Sequence, residues 1–176
     1  MGSLAIQLAK QIGKLQVAAT ASREETKEWA SGLGADIVFD HKKPLGEQFL
    51  RAGWTDVGFA FSTNNTHAYA AALADALAPQ GRFALIDDPD VFDIKVFKRK
   101  SISIHWELMF TRSLFTTRDI ERQGWILDQV SRGVDDGALK TTMGSHYGSI
   151  NASNLRRAHA DLEAGNVKGK IVLEQF

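Results

Sequence analysis

Polar side chains that could hold a charged ligand follow short, uncharged apolar runs of the sequence. The run LQVAATA at 15–21 is followed directly by Ser22 and Arg23. A hydroxyl beside a guanidinium suits a phosphate group, because arginine pairs with phosphate at two points, and a helix N-terminus there would add partial positive charge. A simpler interpretation is that Ser22 only caps a helix and Arg23 only lies on the surface. The two interpretations are compatible.

Later apolar runs are followed by polar residues in the same way. The candidate ligand-binding positions are His41, Ser62, Thr63, Asp87 and Asp88. In doubly wound sheets, ligands bind beyond the carboxyl ends of the strands, and a site for NAD usually has an acidic residue there that accepts both ribose hydroxyls. Since Thr20, Ala21, Ser22 and Arg23 stand at that position here, the sequence favours a ribose 2′-phosphate, as in NADPH.

The elements that must position these residues alternate along the chain. Strands are predicted at 15–21, 35–40, 56–62, 82–87, 101–110 and 170–176, and helices at 3–12, 22–33, 46–52, 66–79, 117–132 and 151–164. The pattern Ser22 to Glu25 is typical of a capping box, and Asn151 can cap the last helix. Alternation of this kind predicts an α/β fold, a doubly wound, mostly parallel sheet with helices on both faces.

Composition excludes several classes of protein. The 176 residues include 21 basic and 21 acidic side chains, so no net field favours nucleic acid or an anionic membrane, and the short KVFKRK run at 95–100 is interpreted as a solvated connection. Zero cysteines exclude disulfides and thiolate zinc sites. No apolar run approaches roughly 20 residues, and no secretory signal is recognisable. We expect one soluble, cytoplasmic domain over 1–176, without membrane or nucleic-acid partners.

Self-contained catalytic motifs are missing as well. The five histidines are scattered without the spacing of a metal site, so no metal ligand is predicted. No GxSxG elbow, P-loop or Tyr-xxx-Lys dyad occurs. The catalytic residues stay unknown at this point.

Several stretches together resemble the zinc-type alcohol dehydrogenase superfamily (medium-chain dehydrogenase/reductases), in its zinc-independent quinone oxidoreductase-like branch. These stretches are GSLAIQLAKQ, ATASREETKEWASGLGADIVFDHKKPL, LAPQGRFALIDDP and the C-terminal segment from GALKTTM to IVLEQF. The resemblance implies a Rossmann-like, NADPH-binding portion of an oxidoreductase. It also implies hydride transfer to a quinone, enone or carbonyl compound in the intact enzyme, with chemistry carried by the cofactor.

The chain departs from that family at its beginning. The GroES-like catalytic domain, the first Rossmann strand and most of its glycine turn are absent, and only Gly2 is left of the glycine motif. Loss of the first strand would leave two neighbouring strands with unpaired backbone groups. Three remedies stay open: the closing run at 170–176 fills the position, another protomer lends a strand, or the polypeptide is longer.

The resemblance also implies residue roles. Gly2 keeps the close-packing role of the last motif glycine, and Ser22 and Arg23 match the 2′-phosphate position. The remaining cofactor-binding positions are His41, Ser62, Thr63, Ile86, Asp87, Trp106, Phe110 and Lys170. Core or interface packing is the alternative for Trp106, and a plain surface position is the alternative for Lys170. In relatives the strand at 101–110 pairs with its symmetry mate, so we expect a homodimer.

Three functions follow as hypotheses. The first is the NADPH-binding domain of a quinone oxidoreductase-like enzyme, for which little or no turnover is expected from this chain alone. The second is a non-catalytic dimerising fragment that has lost nucleotide binding, because the pyrophosphate-binding turn is missing. The third is a Rossmann-like methyltransferase, which the absence of an acidic residue after LQVAATA disfavours.

Overall fold

Parallel strands separated by helices make up the chain in the computed structural model, which describes residues 1–165 and 167–175. The strands are β1 (Ala18–Thr20), β2 (Ile37–Phe39), β3 (Val57–Ser62), β4 (Leu77–Leu85), β5 (Ser103–Trp106), β6 (Met143–Ser149) and β7 (Lys170–Glu174). The predicted α/β fold class is confirmed. Strand β6 was not predicted, because its two glycines and two serines do not give an apolar run.

The helices lie in the connections between these strands. They are α1 (Gly2–Gln11), α2 (Glu24–Gly32), α3 (Leu45–Arg51), α4 (Thr66–Ala76), α5 (Thr111–Leu114), α6 (Arg122–Asp135) and α7 (Ala152–Glu163), with a 3-10 helix at Ile94–Lys100. The predicted cap of α7 is confirmed, since the Asn151 side chain accepts a hydrogen bond from the Asn154 N–H at 2.8 Å. No helix within the described residues is long and apolar enough to cross a membrane.

The strands form three separate parallel sheets. Their orders are β1-β2, β3-β4-β5 and β6-β7. The closing strand β7 pairs with β6. The first of the three remedies is therefore wrong: the closing run does not fill the position beside β1, and its Phe176 lies outside the described residues.

The best-buried core surrounds β4. Leu77, Phe83 and Leu85 have no exposed surface, and Phe97 of the 3-10 helix is 1% exposed. The rings of Phe83 and Phe97 stack with centroids 4.8 Å apart. The interpretation of 95–100 as only a solvated connection is wrong at Phe97, which covers this core.

Helix α4 ends earlier, and β4 begins earlier, than predicted. The helix stops at Ala76, and Leu77 is already extended and pairs with Val57. Proline disfavours helical geometry for the residue before it, and the irregularity that follows includes Gln80 at φ 64°. Lys100 satisfies the end of the helix, because its ammonium donates to the carbonyls of Asp75 and Leu77 at 2.6 and 2.7 Å.

Three other predicted boundaries are also corrected. The strands expected at 15–21 and 101–110 shorten to Ala18–Thr20 and Ser103–Trp106. The helix expected at 117–132 begins later, as α6 at Arg122, after a turn in which Asp119 accepts hydrogen bonds from Thr117 and Arg112.

Candidate ligand site at the strand ends

The carboxyl ends of β3, β4 and β5 lie side by side. In the strand register Ser62 stands opposite Leu85, which stands opposite Trp106. The Ile86 N–H donates to the Ser62 carbonyl at 3.3 Å and extends this row by one residue. The sequence prediction that the residues after these strands share one edge of a sheet is consistent with this register.

Ser62 and Asp87 are joined through Thr66. The Thr66 hydroxyl hydrogen-bonds with the Ser62 hydroxyl at 2.7 Å and donates to the Asp87 carboxylate, which also accepts the Thr66 N–H at 2.9 Å. Asp87 therefore caps helix α4 from the end of β4. Partial burial works to raise the pKa of Asp87, but the two hydrogen bonds from Thr66 hold that pKa below its ordinary value.

The end of β1 leads into α2 without a side-chain cap. The predicted capping box is wrong: the helix begins at Glu24, the N-cap residue is Arg23, and no side-chain cap hydrogen bond is made. Ser22 and Arg23 are half-buried. The Arg23 guanidinium donates to the Gly165 carbonyl at 3.4 Å. The guanidinium thus lies between the start of α2 and the α7–β7 connection.

A second basic residue borders the same place. The Lys168 ammonium pairs with the Glu25 carboxylate at 2.8 Å and lies 5.4 Å from the ring centre of Trp29. Its hydrogen bond and charge hold the pKa of Glu25 below the ordinary value. The Trp29 indole N–H in turn donates to the Ser3 hydroxyl at 2.9 Å. These contacts connect the N-termini of α1 and α2 with the segment before β7.

Gly2 and Lys170 stand at the starts of α1 and β7. A Cβ added to Gly2 would meet no atom within 4 Å. Burial and then the charge of Lys170 lower the pKa of the Met1 amino group. The Lys170 side chain is exposed to solvent.

The remaining predicted residues spread along the strand ends. His41 is half-buried in the turn after β2. Thr63 is half-buried after β3 and borders, together with Gly2, a common cavity described below. Trp106 and Phe110 are 58% and 56% exposed. Core packing of Trp106 is therefore not observed within this chain.

A cavity of about 830 Å³ opens between β1 and β3. Its walls are mostly apolar, and Gly2, Ser3, Thr63, Lys168 and Gly169 border it. It therefore reaches the strand ends at which the predicted residues lie.

Ser3, Trp29 and Lys168 were missed by the sequence reasoning. Ser3 follows Gly2 directly, and Lys168 lies two residues before Lys170. Only their contacts across the fold distinguish them from ordinary surface residues. Trp29, in the helix after Arg23, had no signal of its own.

Metal donors are not clustered in the part of the chain that is described. Within residues 1–165 and 167–175, no three His, Asp or Glu side chains come together in a way that could hold a metal ion.

A family model described as "zinc-binding dehydrogenase" matches residues 33–173. A zinc-type alcohol dehydrogenase-like protein of Staphylococcus aureus strain MSSA476 is 34% identical over 174 residues, which are 98% of this chain and 52% of that protein. The chain spans about half the length of the curated relatives it matches.

Solved structures give the same result. A protein of Rhizobium etli CFN 42, described as a zinc-dependent alcohol dehydrogenase, is 53% identical with a TM-score of 0.94, over 99% of this chain and 51% of its own. A mycobacterial protein in complex with NADPH and a mycobacterial quinone oxidoreductase are each 26% identical, with TM-scores of 0.78 and 0.75. Each match covers 98% of this chain and 52% of the other. The likeness therefore extends over both sequence and fold.

Proposed function

Because the chain belongs to the zinc-binding dehydrogenase family, we propose that it binds a nicotinamide dinucleotide as part of an oxidoreductase of that family. The observation that carries the proposal is the row of strand ends formed by Ser62, Leu85 and Trp106, together with the start of α2, which follows β1 and has no side-chain cap. Doubly wound folds bind their ligands at such an edge. The mycobacterial relative in complex with NADPH supports the same ligand class.

The cofactor we propose is NADPH. No acidic residue stands between Thr20 and Arg23, where an NAD site would use a carboxylate on the ribose. The Arg23 guanidinium can form charge-assisted hydrogen bonds to a 2′-phosphate, and the amide groups at the start of α2 favour an anion. The nearby Glu25 carboxylate is paired with Lys168, which reduces its repulsion of a phosphate.

The reaction we propose for the intact enzyme is hydride transfer from the nicotinamide to a quinone, enone or carbonyl compound. The nicotinamide supplies the hydride when the cofactor is bound. Ile86, Trp106 and Phe110 would contact the nicotinamide end, where exposed apolar and aromatic surface excludes water from the ring. Gly2, His41, Thr63 and Lys170 are the further positions assigned to the cofactor, and Ser62 and Asp87 would act by fixing the backbone at the strand ends.

The partner we propose is a second copy of the chain. Strand β5 pairs with β4 on one side only among the described residues, and Ser103, His105 and Trp106 are exposed. An exposed strand edge invites pairing, and a two-fold axis beside β5 would extend the sheet from one protomer into its partner.

A non-catalytic dimerising fragment is the second candidate. It is favoured by the open cavity between β1 and β3, which lies where the dinucleotide fold has its central strand. Under this hypothesis the strand ends are too loosely held to bind nucleotide.

Calorimetric titration of the chain with NADPH and with NADH tests the proposal. We expect tighter binding of NADPH, and Arg23→Ala should remove most of that preference, by about tenfold or more, because charge-assisted hydrogen bonds are lost. Arg51→Ala is the matched control, since Arg51 is an exposed arginine whose side chain pairs with Glu47 in α3.

Either of two results would contradict it. If neither nucleotide binds at millimolar concentration, the second candidate is favoured. If NADPH and NADH bind equally and Arg23→Ala changes neither affinity, the phosphate role of Arg23 is wrong even though the nucleotide site exists.

A further inference from the structure

Glu25 joins the first turn of α2 to the segment before β7. Its carboxylate lies 2.8 Å from the Lys168 ammonium, and the side chains of Glu25 and Lys168 are 63% and 31% exposed. Ion pairs that solvent reaches contribute little to stability, because water and salt can replace either partner. The Lys168 ammonium can therefore exchange the Glu25 carboxylate for another anion without loosening the fold.

A second contact keeps the Lys168 ammonium beside α2. It lies 5.4 Å from the ring centre of Trp29, which stands four residues after Glu25 and hence on the same face of the helix. A cation over an aromatic ring is attracted by the electrons of the ring. The indole N–H of Trp29 donates to the Ser3 hydroxyl at 2.9 Å, which fixes the ring. Lys168 therefore stays close to the first turn of α2 when its ammonium leaves the carboxylate.

Two cations act on the Glu25 carboxylate. The hydrogen bond from Lys168 and then its charge lower the pKa of Glu25 below the ordinary value, and the charge of Arg23 lowers it further. The Arg23 guanidinium donates to the carbonyl of Gly165, three residues before Lys168. A phosphate monoester carries a charge of about −1.5 to −2 at pH 7 and three acceptor oxygens. It therefore attracts the same two cations more strongly than a carboxylate does.

The neighbouring acidic residue, Glu24, makes a different kind of ion pair. It pairs with Lys27 at 3.4 Å, as residues three apart on a helix do. This pair is local to α2, whereas Glu25 engages a cation from a distant part of the chain. The two glutamates contribute the same charge to the first turn of α2 but differ in the cation that each holds.

We propose that Glu25 and Lys168 set the preference for NADPH by an exchange of partners, in which the Lys168 ammonium leaves the Glu25 carboxylate and binds the 2′-phosphate together with Arg23. The exchange rests on the proposed binding of NADPH and adds to it a second phosphate-binding cation and a residue that competes with the phosphate. NADH carries a hydroxyl at that position of the ribose and leaves the ion pair in place. Glu25 therefore weakens NADPH binding, and Lys168 strengthens it.

Calorimetric titration of the full chain and its variants with NADPH and with NADH tests the exchange. Lys168→Ala should weaken NADPH binding by about tenfold, because a charge-assisted hydrogen bond to the phosphate is lost, and should change NADH binding little. Lys168→Arg keeps the cation and should retain most of the NADPH affinity. Glu25→Gln should tighten NADPH binding by about three- to fivefold, because the competing carboxylate is removed.

Glu24→Gln is the matched control for Glu25→Gln, since it removes the same charge from the same turn of α2 and leaves the Lys168 ion pair in place. Lys27→Ala is the matched control for Lys168→Ala, since both lysines pair with a glutamate of that turn and both side chains are 31% exposed. Each control should shift the ratio of the NADPH and NADH dissociation constants less than its partner variant does. Circular dichroism checks that every variant keeps its helix content.

Three results would overturn the exchange and leave the proposed function standing. If Lys168→Ala changes the affinities for both nucleotides equally, or changes neither, the ion pair is a structural tether. Weaker NADPH binding by Glu25→Gln would mean that Glu25 positions Lys168 for the phosphate and does not compete with it. Equal effects of Glu24→Gln and Glu25→Gln would mean that only the net charge of the turn matters. If the unsubstituted chain binds neither nucleotide, the proposed function and the exchange both fail.

Discussion

Strands β4 and β1 both contain few charged residues and both belong to parallel sheets, yet they are buried to different degrees. Strand β4 pairs with β3 on one side and β5 on the other, and its Leu77, Phe83 and Leu85 are completely buried. Among the described residues β1 pairs with β2 alone, and Ala18, Ala19 and Thr20 are half-buried or exposed. A strand becomes a core strand through its neighbours, and its own composition is not sufficient.

Substitution of Phe83, the aromatic residue at the centre of β4, should have the largest effect on the free energy of unfolding. Phe83→Ala leaves a cavity in a packed core and should lower the free energy of unfolding by about 3–5 kcal/mol. Phe61→Ala, on the open edge strand β3, should cost less than about 1 kcal/mol because its ring is already 45% exposed. Urea unfolding of both variants measures the difference, and equal losses would mean that Phe61 and Phe83 are equally covered in solution.

A polar anchor on the β1 side should have an intermediate effect. Gln7 of α1 is 3% exposed, and its amide accepts the Lys140 N–H at 2.7 Å and donates to the Lys140 carbonyl at 3.1 Å. Gln7→Leu leaves both backbone groups unpaired and should lower the free energy of unfolding by about 1–3 kcal/mol.

The exposed Gln11 at the end of the same helix supplies the control, since Gln11→Leu removes no such pair. A similar stability for both variants would show that solvent replaces the bonds of Gln7.

The smallest effect should be a change in how stability depends on pH in the acid range. The folded pKa of Asp87 lies below its ordinary value of 3.8, so the carboxylate stabilises the fold above that pH, and the contribution is lost as the pH falls through the folded pKa. Asp87→Asn should therefore flatten the loss of stability below about pH 4. No such carboxylate caps α2 at the end of β1, which sharpens the contrast between the strands.

Thermal unfolding between neutral pH and pH 2 would measure this effect, with Asp88→Asn as the exposed neighbouring control. Parallel pH profiles of Asp87→Asn and the wild-type chain would contradict the role given to Thr66 and Asp87.

The sequence predicted the elements whose signals are local. Helix α7 begins directly after its Asn151 cap, as predicted. The centres of the strands predicted at 35–40 and 56–62 lie within a residue or two of the centres of β2 and β3. The rule that polar residues directly after strands border the ligand site also identified Ser62 and Asp87. These features depend on side-chain type and spacing within a few residues.

Features set by distant partners could not be predicted. Thr66 becomes the link between Ser62 and Asp87 only when β3 and β4 are paired, and Lys100 ends α4 from 23 residues further along the chain. The Lys168–Glu25 ion pair likewise joins two ends of the sequence. Strand β6, with little apolar character, is defined by its pairing with β7.

The order of the elements in β3-β4-β5 has a consequence for the time course of folding. Each strand pairs with the one that comes next along the chain, and α4 and the 3-10 helix that cover them lie in the two connections. Closing short loops costs little chain entropy, and local contacts speed folding. Residues 57–106 should therefore form the earliest cooperative unit, with the most slowly exchanging amides at β4, and the β1-β2 and β6-β7 pairs should assemble onto it afterwards.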